Sequence, residues 1–201
     1  MLLQAEHIAI NFGSRQLLND VNFYLNEGDK VGIIGINGTG KSTFLKVLAG
    51  TLEADEGKIV RSPNAQISYL SQNPVMEDEA SILEQIFLHF PREFRELNEY
   101  EAKSMLTKLG FTDFQQKVGT LSGGQRKRVA LVAALVHPAD ILVLDEPTNH
   151  LDSEMVAWLE DWLRSFRGGL IMVTHDRYFL ERVVNHITEL DRKSTRLNSS
   201  H

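Results

Sequence analysis

"GINGTGKST", residues Gly35 to Thr43, is the stretch that decides the fold of this chain. It fits the pattern G-x-x-x-x-G-K-[ST], follows the short apolar run "KVGIIG" and opens a helical segment. In that context, backbone N–H groups converge on a phosphate at the positive end of a helix. Lys41 would reach the β- and γ-phosphate oxygens, and Ser42 would offer its hydroxyl to Mg²⁺. A Gly-rich turn without a ligand is the alternative to a nucleotide site formed by Gly35, Asn37, Gly38, Thr39, Gly40, Lys41, Ser42 and Thr43.

Strands and helices alternate along the sequence around this loop. The apolar runs "DILVLDE" and "GLIMVTH" predict buried parallel strands, and amphipathic segments such as Asp152 to Phe166 predict helices. Gly50 is expected to close the helix that the loop opens. Strand–helix alternation with short links predicts an α/β domain around a parallel sheet, with a β-rich subdomain from "LQAEHIAINF" and "VNFYL". We expect one domain over residues 1–190, with an α-helical subdomain at about 80–137.

Composition and charge exclude several classes of protein. The chain has 201 residues, 42% of them hydrophobic, and a net charge of −6. That charge argues against a domain that wraps nucleic acid by charge alone, although docking on RNA through a local basic patch stays open. There is no cysteine, so a disulfide framework is excluded. Because the N-terminus has no basic n-region and the longest apolar run, Val129 to Val136, is far below the ~18 residues of a membrane helix, we expect a soluble protein without a membrane span of its own. The absence of cysteine fits a cytoplasmic location.

Two adjacent acids, Asp145 and Glu146, end one of the predicted buried strands. Adjacent side chains of an ideal strand point to opposite faces, so the strand must end here if both acids serve one site. Asp145 is then a candidate Mg²⁺ ligand, and Glu146 is a candidate for polarising an attacking water. The alternative is a pair of acids that only cap a strand before Pro147. This alternative is less favoured in a chain that also has a phosphate-binding loop.

The run "LSGGQ", Leu121 to Gln125, combines a capping box with two glycines. Its serine and glutamine fit S-x-x-Q, a helix start that needs no ligand. A capping box needs nothing at its two middle positions, and glycine in a helix costs ~1 kcal/mol per residue against alanine. The glycines therefore favour close approach of a ligand, and a phosphate at the helix start fits best. The candidate contacts are Ser122, Gly123, Gly124 and Gln125, and the basic residues 126–128 that follow are interpreted as a solvated helix face.

Together, and in the order they have along the chain, these motifs resemble the nucleotide-binding domain of the ATP-binding cassette (ABC) superfamily, from Leu2 to Leu190. The resemblance implies a P-loop fold, ATP and Mg²⁺ as cofactors, and ATP hydrolysis. It implies that Phe12 stacks on adenine and that Gln72 links Mg²⁺ to domain motion, although neither residue carries much signal by itself. His175, which alone would be interpreted as structural, becomes a residue that contacts the γ-phosphate.

The resemblance also implies which residues act together. The catalytic residues would be Lys41, Glu146 and His175. The residues that hold Mg²⁺ would be Ser42, Gln72 and Asp145. Two cassettes of this superfamily pair head to tail, so the segment Ser122 to Gln125 would contact ATP bound to the partner cassette, and Asp152 would couple the two halves. A single cassette would therefore be a weak ATPase as an isolated monomer.

Two longer stretches resemble one branch of the superfamily, the ABC-F group. They are "DEPTNHLD", Asp145 to Asp152, and "THDRYFL", Thr174 to Leu180. Members of this group carry two cassettes in one chain, have no membrane domain and mostly act on ribosomes. The resemblance implies a first cassette whose partners are a second cassette, or another copy of the chain in its absence, and the ribosome with its RNA. The interval Asn73 to Thr120 is too short for the long helical arm of many first cassettes.

Two other functions stay open beside this one. The chain could be the ATPase cassette of a membrane transporter, bound to a separate membrane protein, although "TNHLD" argues against that. It could also be a nucleotide-gated scaffold whose hydrolysis only resets binding. Turnover in the presence and absence of ribosomes separates these functions.

The last eleven residues, Asp191 to His201, differ from the rest of the chain. "DRKSTRLNSSH" has one apolar residue and no periodicity, and it matches the translation of a common sequencing-library adapter. We hypothesise that a reading frame ran from the gene into adapter sequence, which makes 191–201 a non-native tail. A native disordered terminus is the alternative.

Overall fold

Eight strands and six α-helices make up the described part of the chain, residues 1–35 and 40–190 of a computed structural model. The strands are β1 (Leu3–Phe12), β2 (Arg15–Leu25), β3 (Lys30–Ile34), β4 (Glu56–Arg61), β5 (Ile67–Leu70), β6 (Ile141–Asp145), β7 (Gly169–Val173) and β8 (His186–Glu189). The helices are α1 (Lys41–Ala49), α2 (Ile82–Ile86), α3 (Arg92–Lys108), α4 (Gly123–Val136), α5 (Ser153–Ser165) and α6 (Arg177–Val183). None of the described helices is both long enough and apolar enough to cross a membrane. The tail hypothesis concerns residues 191–201, which lie outside the described residues.

Two sheets are built from these strands. The smaller sheet is antiparallel, in the order β2-β1-β4, as the alternating N-terminal segments predict. The larger sheet is parallel, in the order β5-β6-β7-β3-β8, and confirms the predicted α/β fold. Strands β6, β7 and β3 are neighbours although they are far apart in sequence. The segments that follow these three strands therefore leave the sheet at one edge, where open α/β sheets bind their ligands.

The parallel sheet is buried on both faces, which explains its continuous apolar strands. In β6, Leu142 and Leu144 belong to the core that contains α4 and α5, whereas Ile141 and Val143 belong to the core that contains α1. Phe44 of α1 meets Phe23 of β2 edge to face, with ring centroids 5.8 Å apart, and thereby joins the smaller sheet to α1. The two cores hold α1 and α4 on opposite faces of the same strands.

Helices α2, α3 and α4 pack against one another. Leu83 and Ile86 lie three residues apart in α2, and both are buried. A break separates α2 from α3, because Pro91 has an extended backbone and α3 begins directly after it. Phe90 stacks on Phe94 across this break, with ring centroids 4.3 Å apart.

Candidate active site

The first turn of α1 has the geometry of an anion site. Gly40 precedes this helix with a φ of 87°, a left-handed conformation that favours glycine, and a Cβ there would lie 3.2 Å from Leu18 Cδ2. Among the described residues no side chain caps the helix, so its first N–H groups remain available to a phosphate. Lys41 Nζ donates a hydrogen bond to the Gly35 carbonyl, which holds the ammonium beside the loop. Three of the predicted loop residues lie outside the described residues: Asn37, Gly38 and Thr39.

Asp145 and Glu146 face the same site because the backbone reverses between them. Strand β6 ends at Asp145, and Glu146 has a φ of 51°, so the alternation of an ideal strand does not continue. The Glu146 N–H donates to the Val173 carbonyl at 2.8 Å, which fixes this turn to the end of β7. A positive φ is uncommon for a residue other than glycine, and such residues cluster at functional sites. The expectation that the strand must end at this acid pair is confirmed.

One cavity of about 500 Å³ brings together most of the predicted nucleotide, metal and catalytic residues that the structure describes. Its lining comes from the start of β2, the start of α1, the loop after β5 and the ends of β6 and β7. The lining residues are Arg15, Leu17, Gly40, Lys41, Ser42, Thr43, Gln72, Asp145, Glu146, Val173 and His175. A second cavity of about 380 Å³, between β5, α2 and α4, contains none of the predicted site residues.

Three residues of this cavity are missing from the sequence-based prediction: Arg15, Leu17 and Val173. Val173 ends β7, whereas Arg15 and Leu17 lie in β2 directly after the hairpin turn, and no motif marks them. Phe12 pairs with Arg15 across the same turn and is 58% exposed, and it does not line the cavity itself. Proximity to Phe12 across a tight turn is the one signal that could have identified Arg15. An exposed aromatic ring beside the cavity is compatible with stacking on a base.

His175 and Glu146 are in direct contact. The backbone N–H of His175 donates to Glu146 Oε2 at 3.2 Å. His175 Nε2 lies 3.2 Å from Glu146 Oε1, an ion-pair distance when the imidazole is protonated, and Glu146 Oε1 has no hydrogen-bond partner among the described residues. The Glu146 side chain is 6% exposed and the His175 side chain 65%, so the imidazole is the solvent-facing member of the pair.

The Asp145 carboxylate is buried, and neither of its oxygens has a hydrogen-bond partner among the described residues. Burial raises the pKa of Asp145, and the nearby Ser42 hydroxyl and cationic groups oppose that rise. Burial lowers the pKa of Lys41, against the opposing effect of Glu146 and Asp145. Unpartnered buried oxygens beside a hydroxyl fit Mg²⁺, which prefers oxygen ligands. No group of three His, Asp or Glu side chains suited to a metal occurs in residues 1–35 and 40–190, but Mg²⁺ often takes one or two protein oxygens together with substrate phosphates.

The "LSGGQ" segment forms the start of α4 and does not line the cavity. Ser122 Oγ accepts a hydrogen bond from the Gln125 N–H at 3.2 Å, and Gln125 Oε1 accepts one from the Ser122 N–H at 2.9 Å, so a capping box is present. Asp152 caps α5 by accepting from the Met155 N–H at 2.9 Å. These capping roles explain the residues locally, and their contacts with a partner cassette stay predictions.

The two glycines of this segment differ in what a larger side chain would contact. A Cβ at Gly123 would meet nothing within 4 Å. A Cβ at Gly124 would lie 3.1 Å from Cγ and Nδ1 of His150, whose own φ is 65°. Gly124 therefore also has a packing reason inside the chain, and the prediction that both glycines make room for a ligand stays a prediction. Of the two, Gly123 is the one whose Cβ would meet no neighbour in the described part of the chain.

The basic residues after this segment are not a solvated helix face, which corrects the sequence-based interpretation. Lys127 is 7% exposed, and its Nζ donates to the Asp145 carbonyl at 3.1 Å and to the Gln72 carbonyl at 3.3 Å. Burial lowers the pKa of Lys127, and the two carboxylates of the site oppose that effect. Both neighbours of Lys127 also have partners within the chain. Arg126 forms an ion pair with Asp78 at 2.6 Å, and Arg128 donates a hydrogen bond to the Leu109 carbonyl at 2.8 Å.

Known proteins are similar in sequence to this chain over most of its length. The sequence profile of the ABC transporter family matches residues 18–149. The chain is 39% identical to the "uncharacterized ABC transporter ATP-binding protein YfmR" of Bacillus subtilis strain 168, over 96% of this chain and 37% of that protein. It is 35% identical to the "energy-dependent translational throttle protein EttA" of Escherichia coli K12, over 89% of this chain and 39% of that protein. The chain thus spans less than half the length of these curated relatives.

Solved structures share the fold. The dimeric structure of MJ0796, a bacterial ABC transporter cassette, superposes with a TM-score of 0.83 at 23% identity, over 97% of both chains. The family match at residues 18–149 covers the start of α1 and the Asp145–Glu146 pair, which both line the cavity with charged side chains. The chain belongs to the ABC transporter family, as an ATP-binding cassette ATPase domain.

Proposed function

We propose that this chain binds ATP with Mg²⁺ and hydrolyses it as one of two cassettes that close together on nucleotide. The observation that supports this most directly is the single cavity shared by Lys41, Ser42, Asp145, Glu146 and His175. This cavity lies at the edge where β3, β6 and β7 end, the position where open α/β sheets bind ligands.

The binding roles follow from position and charge. The Lys41 ammonium and the first N–H groups of α1 would hold the β- and γ-phosphates. Ser42 and Asp145 would hold Mg²⁺, directly or through water, and Gln72 would approach it from the loop after β5. When bound, Mg²⁺ would neutralise charge on the phosphate oxygens. Phe12, beside the cavity, would stack on the adenine ring.

The hydrolytic roles belong to the Glu146–His175 pair. Glu146 would orient and polarise the attacking water, because its buried carboxylate has an oxygen without a hydrogen-bond partner in the described residues. His175, which contacts that carboxylate and lines the same cavity, would face the γ-phosphate. Both residues follow neighbouring strands, so the sheet holds them at a fixed separation.

The cavity is proposed to be one half of the working site. The other half would be the exposed start of α4, Ser122 to Gln125, supplied by a second cassette, with Asp152 coupling the two. The position of this segment outside the chain's own cavity supports such an arrangement. The solved MJ0796 cassette, which shares the fold, is a dimer, and this supports pairing of two cassettes.

Within the family, we favour an ABC-F-like cytoplasmic ATPase that works on the ribosome. The stretches "DEPTNHLD" and "THDRYFL" support this branch, and the name of EttA describes a translational throttle protein. A transporter cassette remains the second candidate, because the YfmR name includes an ABC transporter. Co-sedimentation with ribosomes in ATP but not in ADP favours the first, and co-purification with a membrane subunit favours the second.

Nucleotide binding is tested with Lys41→Ala and a fluorescent ATP analogue. The substitution removes the ammonium over the phosphates, so we expect binding to fall below detection. Lys108→Ala, at the exposed end of α3, is the control and should bind like the unmutated chain. Tight analogue binding by Lys41→Ala would contradict the assignment of this loop.

A further inference from the structure

The ammonium of Lys127 joins three segments of the chain that are distant in sequence. Lys127 belongs to α4, and its Nζ donates to the Gln72 carbonyl in the loop after β5 and to the Asp145 carbonyl at the end of β6. At 7% exposure this lysine is buried, whereas lysines are almost never fully buried unless they are paired. Without these two carbonyls the buried ammonium would have no compensating hydrogen bonds, so the burial of Lys127 depends on them.

Both acceptor residues line the nucleotide cavity. The Asp145 oxygens have no hydrogen-bond partner among the described residues, so the backbone contacts of Asp145 contribute to the position of this carboxylate. That backbone is held on one side by the register of Asp145 with Val173 in β7 and on another by Lys127. The Gln72 backbone lies in a loop outside the sheet and has the Lys127 bond as an anchor to α4.

We propose that Lys127 is a positioning residue that aims Asp145 and Gln72 at the bound metal and ties both to the helix whose start would contact the second cassette. The proposal rests on the proposed function of the cavity as a metal–nucleotide site. Partners one step behind metal ligands typically contribute 10- to 100-fold to metal affinity. Loss of the ammonium should therefore weaken metal binding while leaving the phosphate contacts of Lys41 in place.

A purely structural role is the competing explanation, and the chain contains a matched control for it. Lys30 Nζ also donates to two backbone carbonyls, those of Leu163 and Arg164, each at 2.8 Å. These acceptors lie at the end of α5, and Lys30 does not line the nucleotide cavity. Lys30→Met thus removes the same kind of contact at a place without proposed function.

The experiment compares the full chain with Lys127→Met, Lys127→Arg and Lys30→Met. Mn²⁺ is the metal probe, and its free concentration is read by electron paramagnetic resonance in the presence of ADP. Binding of a fluorescent ADP analogue in EDTA reports nucleotide contacts that need no metal, and circular dichroism reports folding.

For Lys127→Met we expect Mn²⁺ affinity to fall about tenfold or more, while analogue binding in EDTA stays within about twofold. Lys127→Arg, which keeps the charge and donors, should restore Mn²⁺ affinity to within about threefold. Lys30→Met should lose thermal stability with no change in Mn²⁺ affinity. If Lys127→Met does not fold, Lys127→Gln takes its place with the same expectation.

Equal Mn²⁺ affinity in the folded Lys127 variant and the unmutated chain would overturn the positioning role. A similar loss in Lys30→Met would do the same, because it would make the effect a general consequence of lower stability. If the unmutated chain shows no Mn²⁺ binding that depends on ADP, the proposed function of the cavity fails, and the positioning role fails with it.

Discussion

Glu146 and His175 contact each other twice: the His175 backbone N–H donates to Glu146 Oε2 at 3.2 Å, and His175 Nε2 lies 3.2 Å from Glu146 Oε1. The two residues follow β6 and β7, which pair in register up to Asp145 and Val173. The Glu146 backbone is thus bound to the Val173 carbonyl, and the Glu146 carboxylate is bound by His175, which follows β7. This double attachment orients an acid whose own backbone conformation is uncommon.

Glu146→Gln should bind ATP and not turn it over. The amide oxygen of glutamine can still accept the hydrogen bond from the His175 N–H, so the local fold should persist. The amide cannot serve as a base for water, so turnover should fall by at least about a hundredfold. The measurement is single-turnover hydrolysis beside equilibrium binding of an ATP analogue. Turnover at the unmutated rate would mean that Glu146 is not the base.

Asp145→Asn should stabilise the protein without ligand at pH 7. Because the pKa of Asp145 is raised in the folded state, the folded chain binds more protons than the unfolded chain above the ordinary value of 3.8. Stability therefore falls as pH rises from 3.8 through the folded pKa, and the asparagine variant avoids that loss. Its melting temperature should exceed that of the unmutated chain at pH 7, and the difference should shrink as the solution is acidified towards about pH 4.

Asp161→Asn, at an exposed position of α5, is the control for this pH series. It removes one exposed carboxylate outside the cavity and should change the melting temperature at pH 7 little. A constant or reversed difference for Asp145→Asn would contradict the conclusion that the buried carboxylate costs stability at neutral pH.

Turnover per chain should rise with protein concentration. Lys41, Asp145, Glu146 and His175 form one side of the site, and the Ser122 segment of a second copy would supply the other. Hydrogen bonds to a charged phosphate are worth ~1.5–3 kcal/mol each, so the loss of two costs at least ~3 kcal/mol. That corresponds to more than about a hundredfold in rate for a monomer.

Ser122→Arg separates this dependence from nucleotide binding. It should abolish the rise with concentration and leave ATP binding unchanged, because Ser122 lies outside the chain's own cavity. The measurement is a dilution series of specific activity. A fast rate that is independent of dilution would show that one chain holds a complete site.

The two glycines at the start of α4 should respond differently to alanine. Gly123→Ala meets open space, and alanine gains up to about 1 kcal/mol over glycine in a helix, so stability should rise. Gly124→Ala must displace the His150 ring, so its gain should be smaller or negative. Chemical denaturation gives both values. The double variant Gly124→Ala/His150→Ala should then show a coupling of at least about 0.5 kcal/mol, and additive effects would contradict the contact.

Elements with strong local patterns are well predicted from this sequence. Gly50 is expected to end the helix after the loop, and it is the C-terminal cap of α1 with a φ of 84°. Asp152 to Phe166 is expected to be helical, and α5 spans Ser153–Ser165 between these two residues. Such boundaries depend on a few adjacent residues, and periodicity with cap preferences suffices to locate them.

Contacts between distant segments are what the sequence does not reveal. The burial of Lys127 depends on carbonyls at Gln72 and Asp145, which only the order of strands brings to α4. The contact of Gly124 with His150 likewise depends on a turn with a positive φ. A basic run in a helix is most often solvated, so local patterns favour the wrong interpretation for residues 126–128.

The left-handed backbone of Glu146 has a consequence for the variation that position 146 tolerates. Glycine adopts this conformation without strain, asparagine adopts it readily, and β-branched residues do so with difficulty. A saturation library sorted for cellular abundance should therefore enrich glycine and asparagine at this position. The same library sorted for ATP turnover should retain glutamate, so abundance and activity would rank the amino acids at one site in different orders.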